Sequence, residues 1–491
     1  MSRPAPILAR EGSYFRFRHL DGRVLVTNDI GRHVMLTEEE FEALAAGALL
    51  PEHPRYPELA DKGFVGSELA ADDESRILAS RLSHLCTATN LHIMVVTLRC
   101  DHRCVYCHAS RAPMGARGLD MSPEIAGQVL ERVFESPAEQ LTVEFQGGEP
   151  LANWRTVRFV VERARERAAA EGRELVLTLV SSLSLLDEDM ASYLAENRVF
   201  VCTSLDGPAD LHDANRPRSA GSAHAAVLRG IELMNGAYER CGYDPRRYKV
   251  DALLTVTRAS LARADDIVDE YVERGLTTIH ARPLNPFGFA RHVGTRIAYP
   301  PERFLEFYRR LLDRILERVR EGVDLRERTA AIHLTKILTD RDPNYMDLRS
   351  PCGAGIGQLA YDTDGSVFTC DEGRMVARGG DPIFRIGNVA EHGFRDLVGS
   401  PTVRALALAS CLEALPGCAE CAYSPFCGVC PVYNYVEQGD LVARQPTSGR
   451  CKLQLGLLDE LFRRLDAADD ETRAIFERWT WFRPLGDEGE G

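Results

Sequence analysis

The 491-residue sequence contains no run of about 18 uninterrupted apolar residues, so no membrane-spanning helix is expected. It lacks an apolar stretch near its start, where Met1–Pro6 is soon followed by Arg10 and Glu11, so no secretory signal is expected either. Positive charge is in deficit: 73 Asp and Glu stand against 59 Lys and Arg, a formal net charge of −14. Nonspecific nucleic-acid binding needs many phosphate-neutralising cations, so neither nucleic acid nor membrane is expected as a partner. No repeat or low-complexity tract interrupts a composition of 45% apolar and 27% charged residues, ordinary for a globular protein with a sizeable core. The length itself predicts more than one domain.

What the sequence has in quantity is cysteine, 14 in all. A long acidic chain without a secretory signal is not expected to be a disulfide scaffold. The expected compartment is reducing cytoplasm, where clustered thiols mean metal or redox chemistry. Their spacing decides which.

The patterning divides the chain. In residues 14–65, strand-like runs at Tyr14–Arg18 and Arg23–Asn28 flank the turn dipeptide Asp21-Gly22, and His33–Leu36 reads as a third strand. Thr37 and Glu40 form a capping-box signature before a helix whose Phe41 and Leu44 share one side. A second helical stretch near Leu59 ends at Lys62-Gly63. From residue 92 to about 320, strand and helix alternate, with strands expected at Ile93–Thr97, Leu141–Phe145, Leu175–Val180, Val199–Leu205, Val250–Val256 and Thr278–Arg282. Six βα units predict an α/β fold with a parallel sheet, closed or nearly closed, and functional residues at the C-terminal ends of its strands. An open doubly wound sheet is the alternative. Later, Gln358–Tyr361 and Ser366–Thr369 suit a hairpin around Thr363-Asp364-Gly365, Lys452–Phe476 is helical, and Trp479-Thr480-Trp481-Phe482 is a candidate apolar anchor.

Cys100, Cys104 and Cys107 follow the first barrel strand in the spacing C-x3-C-x2-C. Three thiolates on one short loop suit three irons of a 4Fe-4S cluster, leaving the fourth iron open. Zinc is the alternative, with His102 or His108 as a fourth ligand. This spacing, with Tyr106 before the last cysteine, resembles the signature of radical S-adenosylmethionine (SAM) enzymes. In that family SAM chelates the open iron and is cleaved to a 5′-deoxyadenosyl radical, which abstracts a substrate hydrogen. The resemblance extends to Gly147-Gly148-Glu149-Pro150, whose glycines and acid would meet the SAM amine, and to Ser204 and Asp206 of Ser204-Leu205-Asp206-Gly207, which would meet the ribose. Arg216 matches an arginine that pairs with the SAM carboxylate. Where relatives carry Ser-Asn or Thr-Asn after the third strand, this chain has Ser181-Ser182, leaving Ser182 as the polar contact expected there.

Seven further cysteines, Cys352, Cys370, Cys418, Cys421, Cys427, Cys430 and Cys451, are spaced like those of the SPASM domain of peptide- and protein-modifying radical SAM enzymes. The gap between Cys427 and Cys430 is two residues where the family usually has three. The resemblance implies two auxiliary 4Fe-4S clusters, one held by Cys418, Cys421, Cys427 and Cys451, the other by Cys352, Cys370 and Cys430. A four-thiolate zinc site from Cys418 to Cys430 is the alternative. Cys86, Cys202, Cys241 and Cys411 fit neither array and are expected to be mostly buried structural thiols. Asp371 matches a catalytic base of sulfatase-maturing relatives, with a turn or cap as its alternative role.

The N-terminal unit resembles the PqqD-like winged-helix element that docks leader peptides by strand pairing. Stretches such as Leu20–Leu25, Glu144–Pro150, Thr203–His212, Arg282–Leu284, Leu334–Leu338 and Pro446–Gly449 resemble the His-Xaa-Ser system radical SAM maturases. The expected architecture is therefore a winged-helix module (1–70), a linker (71–88), a partial (β/α)6 TIM-like barrel (89–325), a SPASM iron-sulfur domain (326–460) and a C-terminal helix and tail (461–491). The implied function is radical modification of a ribosomally made precursor peptide, its leader docked on the N-terminal module, with a flavodoxin or ferredoxin as electron donor. Formylglycine-forming maturation of a sulfatase-type protein is the second reading, and a noncatalytic iron-sulfur or zinc peptide-binding protein the third. Metal analysis separates them: about twelve irons per chain is expected for three 4Fe-4S clusters, and zinc without iron would exclude the radical chemistry.

Overall fold

The computed structural model describes residues 14–66, 71–288 and 296–480. Its N-terminal module is an antiparallel meander of β1 (Arg16–Leu20), β2 (Arg23–Thr27) and β3 (His33–Thr37). Asp21 and Gly22 both take positive φ, 48° and 82°, the backbone that a two-residue hairpin needs to match strand twist. Thr37 caps α1 (Glu38–Ala45) with the expected reciprocal bonds to Glu40. One sheet face, carrying Val24, Val26, Val34 and Leu36, packs with Leu44, Leu59 and Phe64 into a small core of its own. The other face sends Leu20 and Leu25 into the main core. Alternation along the strands thus makes this module a two-sided layer.

Within residues 71–88, read from the sequence as a linker that turns helical, lies α2 (Ala71–Arg81). Arg81 is buried, and its guanidinium donates to the carbonyls of Lys336 and Thr339, tying the helix to the body of the protein.

The main sheet places β4 (Leu91–Thr97), β5 (Gln140–Gly147), β6 (Glu174–Val180), β7 (Val199–Ser204), β8 (Asp251–Thr255) and β9 (Ala281–Arg282) side by side in sequence order, all parallel. The last expected strand, Thr278–Arg282, is divided: Thr278–Ile279 pairs instead with Arg326–Glu327, and only Ala281–Arg282 joins β8. The buried Glu327 carboxylate accepts from the Ala281 amide at this break, 3.3 Å away. Beyond β4 the sheet continues with β10 (Gln358–Tyr361), parallel to β4, then β11 (Ser366–Phe368) and β12 (Arg385–Asn388), both antiparallel. The fold is α/β with a mixed nine-stranded sheet whose terminal strands are β9 and β12. The hairpin turns at Gly365 as expected, with its second strand one residue shorter.

Along β5, Leu141, Val143 and Phe145 are fully buried, while Thr142, Glu144 and Gln146 are only partly covered. A strand alternates faces with period two, so the apolar set packs on helices such as α3 (Pro123–Phe134) and α4 (Trp154–Glu171), and the polar set lines the opposite face. In β7 the half-covered positions are Phe200, Cys202 and Ser204. The residues of that second face are only partly covered, so an open space, the lumen, lies in front of it.

The C-terminal region is two helices, Gly449–Asp466 and Asp470–Trp479, because Asp469 caps a new helix through the Thr472 amide. Trp479 is buried, while Trp481 and Phe482 lie outside the described residues. Among the described residues no helix is long and apolar enough to cross a membrane. The two faces of β5 predict unequal sensitivity: Phe145→Ala should cost about 3–5 kcal/mol in denaturant unfolding, and Gln146→Ala under about 1 kcal/mol.

Candidate iron-sulfur and cofactor site

The first cysteine loop leaves the C-terminal end of β4. Cys100 lies in a short strand pairing Arg99–Cys100 with Ala112–Pro113, and Cys104 and Cys107 close a turn in which the Cys107 amide donates to the Cys104 carbonyl. The loop is strapped by backbone bonds, Arg103 to Pro217, Val105 to Asn215 and Ser219 to Asp101. Burial pushes the Cys100 thiol up, as does nearby Glu149, and pushes Cys104 up to about 11 against the opposing pull of Arg216. Thiols so placed ionise readily only when a metal takes the charge.

A single tetrahedral zinc with 2.3 Å bonds needs thiolate sulfurs about 3.8 Å apart. Among the described residues, no three cysteines have all their sulfurs within 4.8 Å of one another. The one compact donor group is Cys100, Asp101 and His102. Its Asp101 is already engaged by His102 at 2.8 Å, by the Ser184 hydroxyl and by Arg218. His108 Nε2 lies 3.1 Å from the Asn285 carbonyl. The chemistry of the donor set, three thiols on one short loop, suits three irons of a cluster.

At the end of β5, Gly147 has φ 146°, and a Cβ there would overlap the Thr97 carbonyl oxygen. A Cβ on Gly148 would overlap the carbonyls of Leu98 and Arg99. This close approach lets the Gly148 and Glu149 amides donate to the Thr97 and Arg99 carbonyls, both at 2.8 Å. Glu149 is fully buried and accepts from the Ser182 amide (2.8 Å), the Ser182 hydroxyl (2.5 Å), the Ser181 hydroxyl (2.7 Å) and the Leu151 amide (3.1 Å). Four donors match a carboxylate's acceptor capacity. The Ser181-Ser182 pair, a departure in sequence, thus serves to hold Glu149.

Tyr106, Asp206 and Arg216 meet below the loop. Arg216 Nη1 donates to the Tyr106 hydroxyl (2.8 Å), which donates to Asp206 Oδ2 (2.7 Å), and the Thr255 amide donates to Oδ1 (3.3 Å). Burial raises the Asp206 carboxyl above its usual range despite Arg216. Ser204, the last residue of β7, is half-buried two positions earlier. Gly147, Gly148, Glu149, Ser182, Ser204 and Asp206 all fall at the C-terminal ends of β5, β6 and β7. Sequence spacing could not show that three of the named side chains bind each other.

The other cysteines separate into four and three. Cys418, Cys421, Cys427 and Cys451 line one cavity of about 300 Å³. Cys352, Cys370 and Cys430 pack together around Phe384 and Val432. Cys370 and Cys430 are N-caps of the helices Asp371–Arg378 and Pro431–Gln438, their sulfurs accepting from the Gly373 and Tyr433 amides. Helix N-termini favour thiolate, but burial outweighs this and pushes all three thiols up, Cys352 to about 12. A Cβ on Gly428 would stand 2.6 Å from Leu348 Cα, which accounts for glycine in the shortened gap before Cys430. The unassigned thiols are not buried as expected: Cys86 is exposed, and Cys202, Cys241 and Cys411 are half-buried, Cys202 because its strand position faces the lumen.

Asp371 is buried and paired at 2.7 Å with Nε of Arg374, itself fully buried. It acts across the lumen on Glu144, which accepts from the Gln146 amide (2.5 Å) and the Thr178 hydroxyl (3.1 Å). Burial raises the Glu144 carboxyl, and the charge of Asp371 adds to the rise. The charges of Tyr345 and Glu372 act in turn on buried Arg282. Sequence reading did not single out Glu144 or Glu372 as site residues; the polar positions alternating through an otherwise apolar parallel strand were the available signal.

An α/β sheet with thiols and a glycine turn at one edge defines an iron-sulfur, SAM-type site. Residues 94–243 match the family model of the radical SAM superfamily. A cysteine-type anaerobic sulfatase-maturating enzyme of Clostridium perfringens is 25% identical over 284 residues, 55% of this chain and 71% of that protein. The solved structure of native anSMEcpe with bound AdoMet shares the fold at a TM-score of 0.64 and 19% identity, covering 78% of this chain and 100% of that one. Streptococcus suis SuiB bound to precursor peptide SuiA does so at 0.53 and 15% identity, over 87% and 97%.

The Tyr106 hydroxyl is the joint of the buried triad. Tyr106→Phe removes the donor to Asp206 and should cost about 1–3 kcal/mol of stability, measured by thermal unfolding, together with weaker SAM binding by calorimetry.

Proposed function

We propose that this protein is a radical SAM enzyme that modifies a ribosomally synthesised precursor peptide, of the kind resembled by the His-Xaa-Ser system maturases. The observation that carries the reading is the polar lumen between two cysteine regions. Glu144 and Arg282 on the parallel strands, and Asp371 and Glu372 on the helix capped by Cys370, lie close enough for their charges to act on one another. In this reading the six parallel strands are a partial (β/α)6 barrel, the N-terminal meander and helices are a peptide-recognition module, and residues 326–460 are a SPASM domain. Resemblance of the fold to SuiB, solved with its precursor peptide, supports a peptide substrate.

Cys100, Cys104 and Cys107 would hold the SAM-binding 4Fe-4S cluster; Cys418, Cys421, Cys427 and Cys451 one auxiliary cluster; and Cys352, Cys370 and Cys430 the other. When bound, the first cluster and SAM supply a 5′-deoxyadenosyl radical for hydrogen abstraction. The chain's own work is positional. Gly147 and Gly148 bring backbone close to the cofactor, Glu149 is fixed by Ser181 and Ser182, and Arg216 and Asp206 are registered through Tyr106. Asp371, the first residue of the helix after Cys370, is buried and paired with Arg374; in this reading it would serve as the base for a substrate proton once that pair opens. An external flavodoxin or ferredoxin would supply the electron.

Likeness to the C. perfringens enzyme favours a second reading, maturation of a sulfatase-type protein. Anaerobic incubation of reduced enzyme with SAM and the peptide encoded beside its gene tests the first. The expected result is 5′-deoxyadenosine with a mass change in the peptide; formylglycine on a protein substrate, and no peptide change, would select the second. Cys104→Ala should abolish 5′-deoxyadenosine formation, whereas Cys421→Ala should retain it and lose the peptide product.

A further inference from the structure

The N-terminal module touches the four-cysteine cavity directly. On β1, Phe17 and His19 are exposed on the side of Phe41, with ring centroids of Phe17 and Phe41 4.7 Å apart. Arg16 and Arg18 reach the cysteine-rich segment. Arg16 Nε donates to the Ala419 carbonyl (2.6 Å), and from β2 the Thr27 hydroxyl donates to the Ala422 carbonyl (2.8 Å). Those two carbonyls lie inside and just after the Cys418–Cys421 turn. Arg18 forks onto Asp459 of the helix Gly449–Asp466, Nε to Oδ1 at 2.7 Å and Nη2 to Oδ2 at 2.8 Å. The Tyr423 hydroxyl donates to the same carboxylate at 2.5 Å, and the guanidinium carbon lies 5.5 Å from the Tyr423 ring centroid. Arg18 and Tyr423 line the cavity together with Cys418, Cys421, Cys427 and Cys451.

A surface ion pair would carry little meaning. This one is different in place, with Asp459 only 14% exposed and the arginine forming a cavity wall. A bidentate fork also fixes where the positive charge stands, which a lysine would not.

We infer that the N-terminal module is a working wall of the four-cysteine site, and that the Arg18–Asp459 pair sets the reduction potential of the cluster held there. The inference rests on the proposed reading that these four cysteines hold an auxiliary cluster. Reduction adds negative charge, so a nearby cation favours it and an unpaired carboxylate opposes it. The module proposed to receive the peptide thereby also sets the charge at an electron-carrying centre.

The test uses the full chain, reconstituted anaerobically, with iron content measured first and cluster potentials then read by potentiometric EPR titration. Signal lost in Cys421→Ala identifies the centre concerned. Arg18→Gln leaves Asp459 unpaired and should make reduction about tenfold less favourable, about 59 mV more negative for one electron. Asp459→Asn should shift it in the opposite direction, and Arg18→Lys should recover part of the wild-type value. Shifts of the same sign in Arg18→Gln and Asp459→Asn, or no shift in either at wild-type iron content, would overturn the inference. If Cys421→Ala removes neither iron nor an EPR signal, the cluster reading itself fails, and the inference falls with it.

Discussion

Everything at the candidate site depends on how closely two backbones approach at the exit of β4. The carbonyls of Thr97, Leu98 and Arg99 occupy the space where any side chain on Gly147 or Gly148 would stand. With hydrogen in place of Cβ, the turn closes, and the Gly148 and Glu149 amides bond to Thr97 and Arg99. Arg99 is fixed in turn, both its Nε and Nη2 lying 2.8 Å from the Asp120 carboxylate. One contact therefore sets both where the cysteine loop departs and where Glu149 enters the interior.

From that point the site is built by burial. Glu149, Asp206, Arg216 and Tyr106 are polar groups in low-dielectric surroundings, where a missing partner is costly. They are satisfied by each other and by Ser181, Ser182 and Thr255. The two cysteine regions are not separate bodies joined by a tether. β10 pairs directly with β4, so one hydrogen-bonded sheet runs from the six parallel strands into the second region. Such continuity fixes the helix after Cys370 across the lumen from β5.

Much of this was legible in sequence. The six strands followed from short apolar runs alternating with amphipathic stretches, the Thr37 capping box from its spacing, and the split of seven cysteines into four and three from a family pattern. Less legible was anything that required two distant segments to meet. The pairing of Thr278–Ile279 with Arg326–Glu327 divided a strand that reads as continuous, because a neighbour in space outweighed local pattern. The pattern of residues 71–88 gives no sign that Arg81 is buried and bonded to Lys336 and Thr339. The lumen residues Glu144 and Glu372 carry no motif, since a polar residue in a strand means little until its face is known.

The sequence by itself determined which chemistry is available: three thiols and a glycine turn for one site, seven thiols for others, and alternating strands and helices to carry them. Those are properties of residue type and spacing, and they survive without coordinates. Only the tertiary structure decided which side chains share an environment. It set Ser182 against Glu149, bound Asp371 to Arg374, and brought Arg18 to a cavity lined by cysteines some 400 residues distant. Charge and hydrogen bonding act over a few ångströms of space, and chain separation does not report that distance.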